Sequence, residues 1–193
     1  GMNYTGNHIF MASGAAGALS HAFRLVAEAG DEIITFAPFF PEYNPYVNLT
    51  GSVLKIVPPQ TEDFQINFEA FEAMITEKTK AVLVNTPNNP SGIVYSAETL
   101  ARLAEVLTRK SQEFGDNIFI ISDEPYREIV FEGVDAPCVS SFYDNTIMCY
   151  SFSKSLSLPG ERIGYILVSN GCKNKEDVYA AIKGAGRTMG FVC

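Results

Sequence analysis

Short apolar runs alternate along the chain with longer stretches whose apolar residues recur every three or four positions. Runs of mainly Val, Ile, Leu and Phe that end at Pro, Gly or polar residues predict strands. These runs lie at 33–36, 53–57, 81–84, 118–121, 147–150 and 163–168. The helical spacing predicts helices over 14–29, from Asn67 to residue 75, and from Ser96 to residue 114, with Asn67 and Ser96 as N-caps.

This alternation is typical of an α/β fold. Near-continuous apolar strands indicate a parallel sheet that is covered by helices on both faces. We therefore expect a three-layer α/β/α sandwich with a mostly parallel sheet. No internal repeat, low-complexity tract or linker interrupts the pattern, which predicts one domain over residues 1–193. Ligands of such sheets bind beyond the carboxyl ends of the strands, so the segments after the strands are the place to look for chemistry.

Composition narrows the range of partners. The 193 residues include 14 Lys and Arg against 22 Asp and Glu, for a formal net charge of −8. This acidic balance disfavours nucleic acid and anionic membrane surfaces as partners, and no apolar run approaches the roughly 18 residues of a membrane span. The four cysteines have no C-x-x-C spacing, and His8 and His21 match no metal-ligand spacing. The sequence predicts a cytoplasmic, metal-free protein that binds neither nucleic acid nor membrane.

Three loop segments could contact a ligand. The small residues Gly14, Ala15 and Ala16 enter a predicted helix, where exposed backbone amides favour an anion, although a plain loop-to-helix joint has the same pattern. Phe40, in a proline-braced loop after a strand, could stack on a planar ring or pack in the core. Asn89 lies in a rigid Asn-Thr-Pro-Asn-Asn-Pro-Ser-Gly segment that is either an amide donor to a ligand or an ordinary turn.

Two further residues follow the strand predicted at 118–121. Asp123 lies at a buried strand end, where a carboxylate needs a cation or a hydrogen-bond donor. Tyr126 follows across a proline turn and could face the same ligand. A structural Asp whose partners lie within the protein is the alternative interpretation.

The strand predicted at 147–150 leads into Ser151, Ser153 and Lys154, with Arg162 further along the chain. Desolvation of a lysine after an apolar strand would favour its neutral amine, the form that attacks a carbonyl carbon. The serine hydroxyls and the guanidinium are suited to a phosphate. A solvated loop lysine is the alternative for Lys154.

The order of these motifs resembles that of the class I/II aminotransferases of the aspartate aminotransferase superfamily, which are fold type I pyridoxal phosphate enzymes. The resemblance runs from about residue 13 to 188. Its most specific pieces are the segments 85–92, 122–126 and 151–154, together with Arg162.

The resemblance implies a role for each candidate residue. Lys154 would bond covalently to the aldehyde of pyridoxal 5′-phosphate and later shuttle a proton, while Asp123 would pair with the pyridinium nitrogen. Tyr126 and Asn89 would donate hydrogen bonds to the ring 3-oxygen, and Phe40 would stack on the ring. The phosphate would be held by three kinds of group. These are the backbone amides of Ala15 and Ala16, which follow Gly14, the hydroxyls of Ser151 and Ser153, and the guanidinium of Arg162. Ala16 stands where some relatives carry a hydroxyl or a lysine, so its contact would be through the backbone only.

The same resemblance implies a reaction and a larger assembly. The reaction is amino-group transfer from an amino acid to a 2-oxo acid, carried out by a homodimer. Members of the family are longer chains with an N-terminal arm and a small second domain whose arginine binds the substrate carboxylate. Gly1 before Met2 is typical of a cleaved expression tag, and the chain stops at Cys193 directly after apolar residues. We therefore expect residues 1–193 to be the large cofactor domain without that arm and small domain, and inactive by itself.

Two alternative functions stay open at this point. The same fold and cofactor serve β-lyases, decarboxylases and cyclopropane-forming synthases, and an aminotransferase-like domain can act as the sensor of a transcription regulator. The substrate side chain is not predicted, because the residues that select it lie largely outside this segment.

Overall fold

A seven-stranded sheet runs through the part of the chain that the computed structural model describes, residues 4–190. In chain order its strands are β1 (Ile9–Ser13), β2 (Glu32–Phe36), β3 (Val53–Val57), β4 (Thr79–Asn85), β5 (Phe119–Asp123), β6 (Thr146–Ser151) and β7 (Ile163–Val168). Across the sheet the order is β1-β7-β6-β5-β4-β2-β3. The tag-like Gly1-Met2 and the terminal Cys193 lie outside the described residues.

Most of the sheet is parallel, as predicted. Strands β3, β2, β4, β5 and β6 run in one direction, whereas β7 pairs antiparallel with both β6 and β1. The carboxyl ends of the parallel strands therefore share one edge. In register across that edge, Asn85 of β4 pairs with Asp123 of β5, which pairs with Cys149 of β6.

Helices cover both faces of the sheet, so the predicted three-layer sandwich is confirmed. The helices are α1 (Gly14–Val26), α2 (Tyr43–Asn48), α3 (Phe68–Met74), α4 (Ala97–Phe114), α5 (Phe152–Ser155) and α6 (Lys175–Met189). One core cluster joins α1, α2 and α6 to the sheet, and a second joins α3 and α4 to the opposite face. None of the helices within residues 4–190 has the length and apolar character needed to cross a membrane.

The predicted N-caps are present. The Asn67 side chain accepts a hydrogen bond from the amide of Ala70, and the Ser96 hydroxyl accepts one from the amide of Thr99. Each cap satisfies an amide that the first helical turn leaves without a backbone partner. Gly115 ends α4 in the left-handed conformation, with φ of 69°.

The structure differs from the sequence prediction in the extent and number of elements. Helix α1 ends at Val26 rather than at residue 29, because Ala27 is extended and the amide of Glu28 binds the Asp31 carboxylate at 2.8 Å. Strand β1 and helices α2, α5 and α6 were not predicted. The glycines of α6 weaken its helical pattern, yet one of them is needed for packing, since a Cβ on Gly186 would lie 2.3 Å from the Phe10 ring.

Candidate active site

A cavity of about 340 Å³ opens beyond the carboxyl ends of β4, β5 and β6, on the face covered by α1 and α2. Ten of the eleven site residues predicted from the sequence line it, namely Ala15, Ala16, Phe40, Asn89, Asp123, Tyr126, Ser151, Ser153, Lys154 and Arg162. The eleventh, Gly14, lies against the guanidinium of Arg162. Segments far apart in the chain meet here because the parallel strands end at a common edge.

Asp123 is the most buried charged group of the cavity, with 5% of its surface exposed. The hydroxyl of Tyr43 on α2 donates to its Oδ2 at 2.6 Å. Its other oxygen, Oδ1, is buried and has no hydrogen-bond partner among residues 4–190. Burial raises the pKa of Asp123 to about 7; the Tyr43 hydrogen bond opposes the shift, and the charge of Glu124 adds to it. A buried carboxyl with one unsatisfied oxygen suits a cationic N–H donor.

A network of amides holds the loop between β4 and α4 against the end of β5. Asn85 is buried, and its Nδ2 donates to the carbonyl of Asp123 at 2.9 Å. Its Oδ1 accepts the amide of Asn89 at 2.7 Å, and the Asn89 Nδ2 donates to the Tyr126 hydroxyl at 3.3 Å. The two groups predicted to face one ligand oxygen, Asn89 and Tyr126, are therefore neighbours in the folded protein.

The aromatic wall comes from the loop between β2 and α2. The Phe40 ring meets the Tyr43 ring edge-on, with centroids 5.6 Å apart. Asn88 fixes this loop to the one that carries Asn89, because its Nδ2 donates to the carbonyl of Pro38 at 3.2 Å. Phe40 thus borders the cavity on a braced loop.

At the start of α1, Gly14 leaves room for a guanidinium, and Gly164 leaves room for the backbone of Gly14. A Cβ on Gly14 would lie 2.6 Å from Nη2 of Arg162, and Gly14 has a φ of +68°. A Cβ on Gly164 would lie 2.4 Å from the carbonyl oxygen of Tyr150 and 2.7 Å from the carbonyl carbon of Gly14, so β7 and the start of α1 are in close backbone contact. Ser13, the N-cap of α1, makes no side-chain capping bond, so the first-turn amides are not capped by it. Small residues, helix amides that the Ser13 side chain does not cap, and the Arg162 guanidinium lie together here and form a cradle for an anion.

Two serines complete this end of the cavity. The buried Ser151 hydroxyl accepts the amide of Ser153 at 3.1 Å and donates to the Ser153 hydroxyl at 2.7 Å. Ser151 is the last residue of β6, and Ser153 lies in α5, which follows directly. They point toward the same cavity as Arg162.

Lys154 lines the cavity from α5 but is exposed to solvent. The desolvation expected from the preceding apolar strand is therefore wrong for this chain by itself. The apolar run ends at Tyr150, and the helical turn that follows carries Lys154 to the rim, next to the exposed Leu156 and Leu158. No described element packs over that turn to bury the amine.

The sequence prediction missed Tyr43 as a site residue. Its hydroxyl bonds to Asp123 across 80 positions of sequence, and local periodicity cannot show such a pairing. The one available signal was that Tyr43 belongs to the same proline-braced segment as Phe40.

Comparison with known proteins decides the family. The model of the family described as aminotransferase class I and II matches residues 2–193. The chain belongs to the class I and II aminotransferases. Members of this family use pyridoxal 5′-phosphate as cofactor.

Several aminotransferases are similar to the chain over nearly all of its length. A solved structure of an aminotransferase from Eubacterium rectale is 53% identical, with a TM-score of 0.97, and the match covers 100% of this chain and 48% of that one. The aspartate aminotransferase of Thermotoga maritima is 34% identical over 92% of this chain and 50% of its own length. A methionine aminotransferase from Escherichia coli matches with 28% identity and a TM-score of 0.84, over 96% of this chain and 47% of its own.

The chain spans about half the length of the aminotransferases that it matches. The residues present fit the family's cofactor on two observations. The unpartnered Oδ1 of Asp123 suits a protonated ring nitrogen, and the cradle of Gly14 and Arg162 suits a phosphate.

Proposed function

We propose that the intact protein is a pyridoxal 5′-phosphate-dependent aminotransferase that transfers the amino group of an amino acid to a 2-oxo acid. The observation that carries this proposal is the buried, unpartnered Oδ1 of Asp123, in a cavity that also contains the amine of Lys154 and the guanidinium of Arg162. The charge pattern suits the cofactor at both ends, with an acid for its ring nitrogen and a cation for its phosphate. The family membership of the chain supports the same function.

When bound, pyridoxal 5′-phosphate supplies an aldehyde that condenses with amines and a protonated ring that withdraws electrons from the substrate carbon. Asp123 would hold the proton on the ring nitrogen through Oδ1, the oxygen that has no partner within the described residues. An opposite charge at this position stabilises the carboxylate and lowers the pKa of Asp123 from its raised value of about 7. The hydroxyl of Tyr43 occupies Oδ2 and keeps the carboxylate in place.

Three side chains orient the ring. Tyr126 and Asn89 donate hydrogen bonds to the ring 3-oxygen, a role supported by their proximity to each other in the cavity. Phe40 covers one ring face with its own ring, a contact that aromatic systems favour. Together these three side chains would hold the ring in one orientation in the cavity.

The phosphate is held where α1 begins. Its negative charge is matched by the helix dipole and by the guanidinium, and hydroxyls complete its hydrogen bonds. The proposed phosphate contacts are the amides of Ala15 and Ala16 after Gly14, the hydroxyls of Ser151 and Ser153, and the side chain of Arg162. Since Ala16 has no polar side chain, its contact is made by the backbone alone.

Lys154 would provide the amine that holds the cofactor through its aldehyde, and the same amine would take up and return the proton of the substrate Cα. The exposed position of Lys154 at the cavity rim leaves its amine accessible to a cofactor and to a substrate.

We propose further that residues 1–193 form the cofactor domain of a longer, cytoplasmic, homodimeric protein. The support is the half-length match to full aminotransferases. In such a protein the groups that bind the substrate carboxylate come from chain beyond this domain. The amino acid and the 2-oxo acid are the partners of the proposed reaction.

The test of this function is covalent mapping. The intact protein is incubated with pyridoxal 5′-phosphate, reduced with borohydride and digested, and the modified lysine is located by mass spectrometry. We expect the adduct on Lys154, and Lys154→Ala should abolish it.

Lys173→Ala is the matched control, because Lys173 borders a different cavity and should leave the adduct unchanged. An adduct that maps to Lys173 or to Lys183 of α6 would show that the site assignment is wrong. Absence of any adduct would contradict the proposed function itself.

A further inference from the structure

A buried tyrosine lies behind the site, on the opposite face of the sheet. Tyr150 of β6 immediately precedes Ser151, and successive strand residues point to opposite faces. Its ring stacks on that of Tyr165 with centroids 5.0 Å apart and meets the edge of Phe152 at 5.2 Å. Only 5% of Tyr150 is exposed, so the ring is fixed on both sides.

The Tyr150 hydroxyl joins two segments that carry proposed site residues. It donates to Oε2 of Glu128 at 2.9 Å and lies 2.7 Å from the hydroxyl of Ser155. A phenol has one proton, so the Ser155 hydroxyl is the donor in the second bond. Ser155 follows Lys154 directly, and Glu128 lies two residues after Tyr126.

The turn that carries Lys154 is attached on its N-terminal side, where the Phe152 ring packs against Tyr150 and Tyr165, but has fewer attachments after Lys154. Helix α5 is four residues long, and its neighbours Leu156 and Leu158 are exposed. The backbone bonds that follow it, from Leu156 to Phe152 and from Ser157 to Lys154, are long at 3.3 and 3.4 Å. Burial raises the pKa of Tyr150, so its hydroxyl keeps the proton that reaches Glu128. The hydroxyl therefore adds a second attachment of this turn to the aromatic cluster, through Ser155 on the C-terminal side of Lys154.

We propose that Tyr150 is a positioning residue that, through Ser155 and Glu128, holds the Lys154 amine at its working distance from the Tyr126 side of the cavity. The proposal rests on the proposed function, since it acts through the lysine that bonds to the cofactor. A displacement of about 1 Å in a reacting group can cost on the order of 10² in rate. Loss of the two hydroxyl bonds should therefore slow covalent bonding without weakening the noncovalent contacts of the cofactor.

The test is Tyr150→Phe in the intact protein, which keeps the ring packing and removes both hydrogen bonds. Pyridoxal 5′-phosphate is mixed with the protein at saturating concentration, and the growth of the Lys154 adduct absorbance is followed by stopped flow. We expect the rate of adduct formation to fall about tenfold. Ser155→Ala should slow it similarly, whereas Glu128→Gln, which keeps an acceptor oxygen, should restore most of the rate lost in Glu128→Ala.

A second measurement separates positioning from general damage. Cofactor affinity is measured by titration in Lys154→Ala and in Lys154→Ala/Tyr150→Phe, where no adduct forms. Equal affinities, within a factor of about two, would agree with an action through Lys154. A loss of affinity in the double variant would overturn the proposal, because Tyr150 would then support the whole cavity.

Tyr143→Phe is the matched control. Its hydroxyl also makes a buried hydrogen bond on this face, to the carbonyl of Ile118 at 2.7 Å, but contacts no proposed site residue. The control should form the adduct at the wild-type rate even if it loses thermal stability. A Tyr150→Phe protein that forms the adduct as fast as wild type would refute the positioning role alone, whereas a wild-type protein without any adduct would overturn both proposals.

Discussion

Replacing Asp123 by Asn probes the group on which the proposed site depends most. Asn keeps the shape of the side chain and an oxygen that can accept the Tyr43 hydroxyl, but it has no charge and no titration. Two effects are expected. The cofactor-loaded intact enzyme should turn over on the order of 10²–10³ more slowly, because the proton on the ring nitrogen loses its counter-charge.

The second effect is on the stability of the protein without cofactor. The pKa of Asp123 is raised by burial from 3.8 to about 7, so the folded state binds this proton more tightly than the unfolded state does. Stability from this group is therefore complete below the unfolded pKa and is lost as the pH rises toward 7. With one pKa unit equal to about 1.4 kcal/mol, the loss between pH 5 and pH 8 amounts to about 3 kcal/mol.

The assay is urea unfolding of the cofactor-free intact protein from pH 5 to pH 8, for the wild type and for Asp123→Asn. The free energy of unfolding of the variant relative to wild type should increase by about 3 kcal/mol over this range. Any constant offset reflects the new amide and does not matter. A difference between the two proteins that stays flat with pH would refute the reasoning, because Asp123 would then ionise as easily in the fold as outside it.

Three further predictions concern other parts of the site. Tyr43→Phe removes the 2.6 Å hydrogen bond to the Asp123 carboxylate, so the cofactor affinity measured by fluorescence titration should fall about tenfold. An unchanged affinity would contradict the role of Tyr43 in holding that carboxylate. Gly14→Ala places a Cβ 2.6 Å from a guanidinium nitrogen of Arg162, so it should weaken the affinity for pyridoxal 5′-phosphate far more than the affinity for pyridoxal. The control Gly17→Ala, whose Cβ would lie 3.4 Å from its nearest neighbour, should leave both affinities unchanged. A polypeptide limited to residues 1–193 is expected to fold, as judged by cooperative unfolding, but to transaminate below about 1 per second, and a faster rate would show that chain beyond it is dispensable.

The parallel part of the fold and most of the site were predictable because their signals are local. The apolar runs that became β4, β5 and β6 are contiguous in sequence, and the polar residues that follow them meet at one edge for a topological reason. Asp123 and Asn89 could therefore be placed together without any knowledge of the loops between them.

The remainder depends on contacts between distant segments. Strand β1 pairs with β7, and its first residue, Ile9, lies opposite Leu167, so no window of sequence around Ile9 reveals that pairing. Tyr43 reaches its partner only after α2 has packed on the sheet. The exposure of Lys154 was missed for a related reason, since a preceding apolar strand does not determine what covers the turn that follows it.

The most direct test of the proposed function follows the nitrogen atom. The intact protein, saturated with pyridoxal 5′-phosphate, is given ¹⁵N-aspartate and 2-oxoglutarate, with ¹⁵N-methionine and ¹⁵N-kynurenine as alternative donors, and the products are analysed by mass spectrometry. An aminotransferase places the label in glutamate and yields one 2-oxo acid for each amino acid consumed. Release of the label as ammonia, or no transfer from any donor while the cofactor is bound to Lys154, would contradict the account.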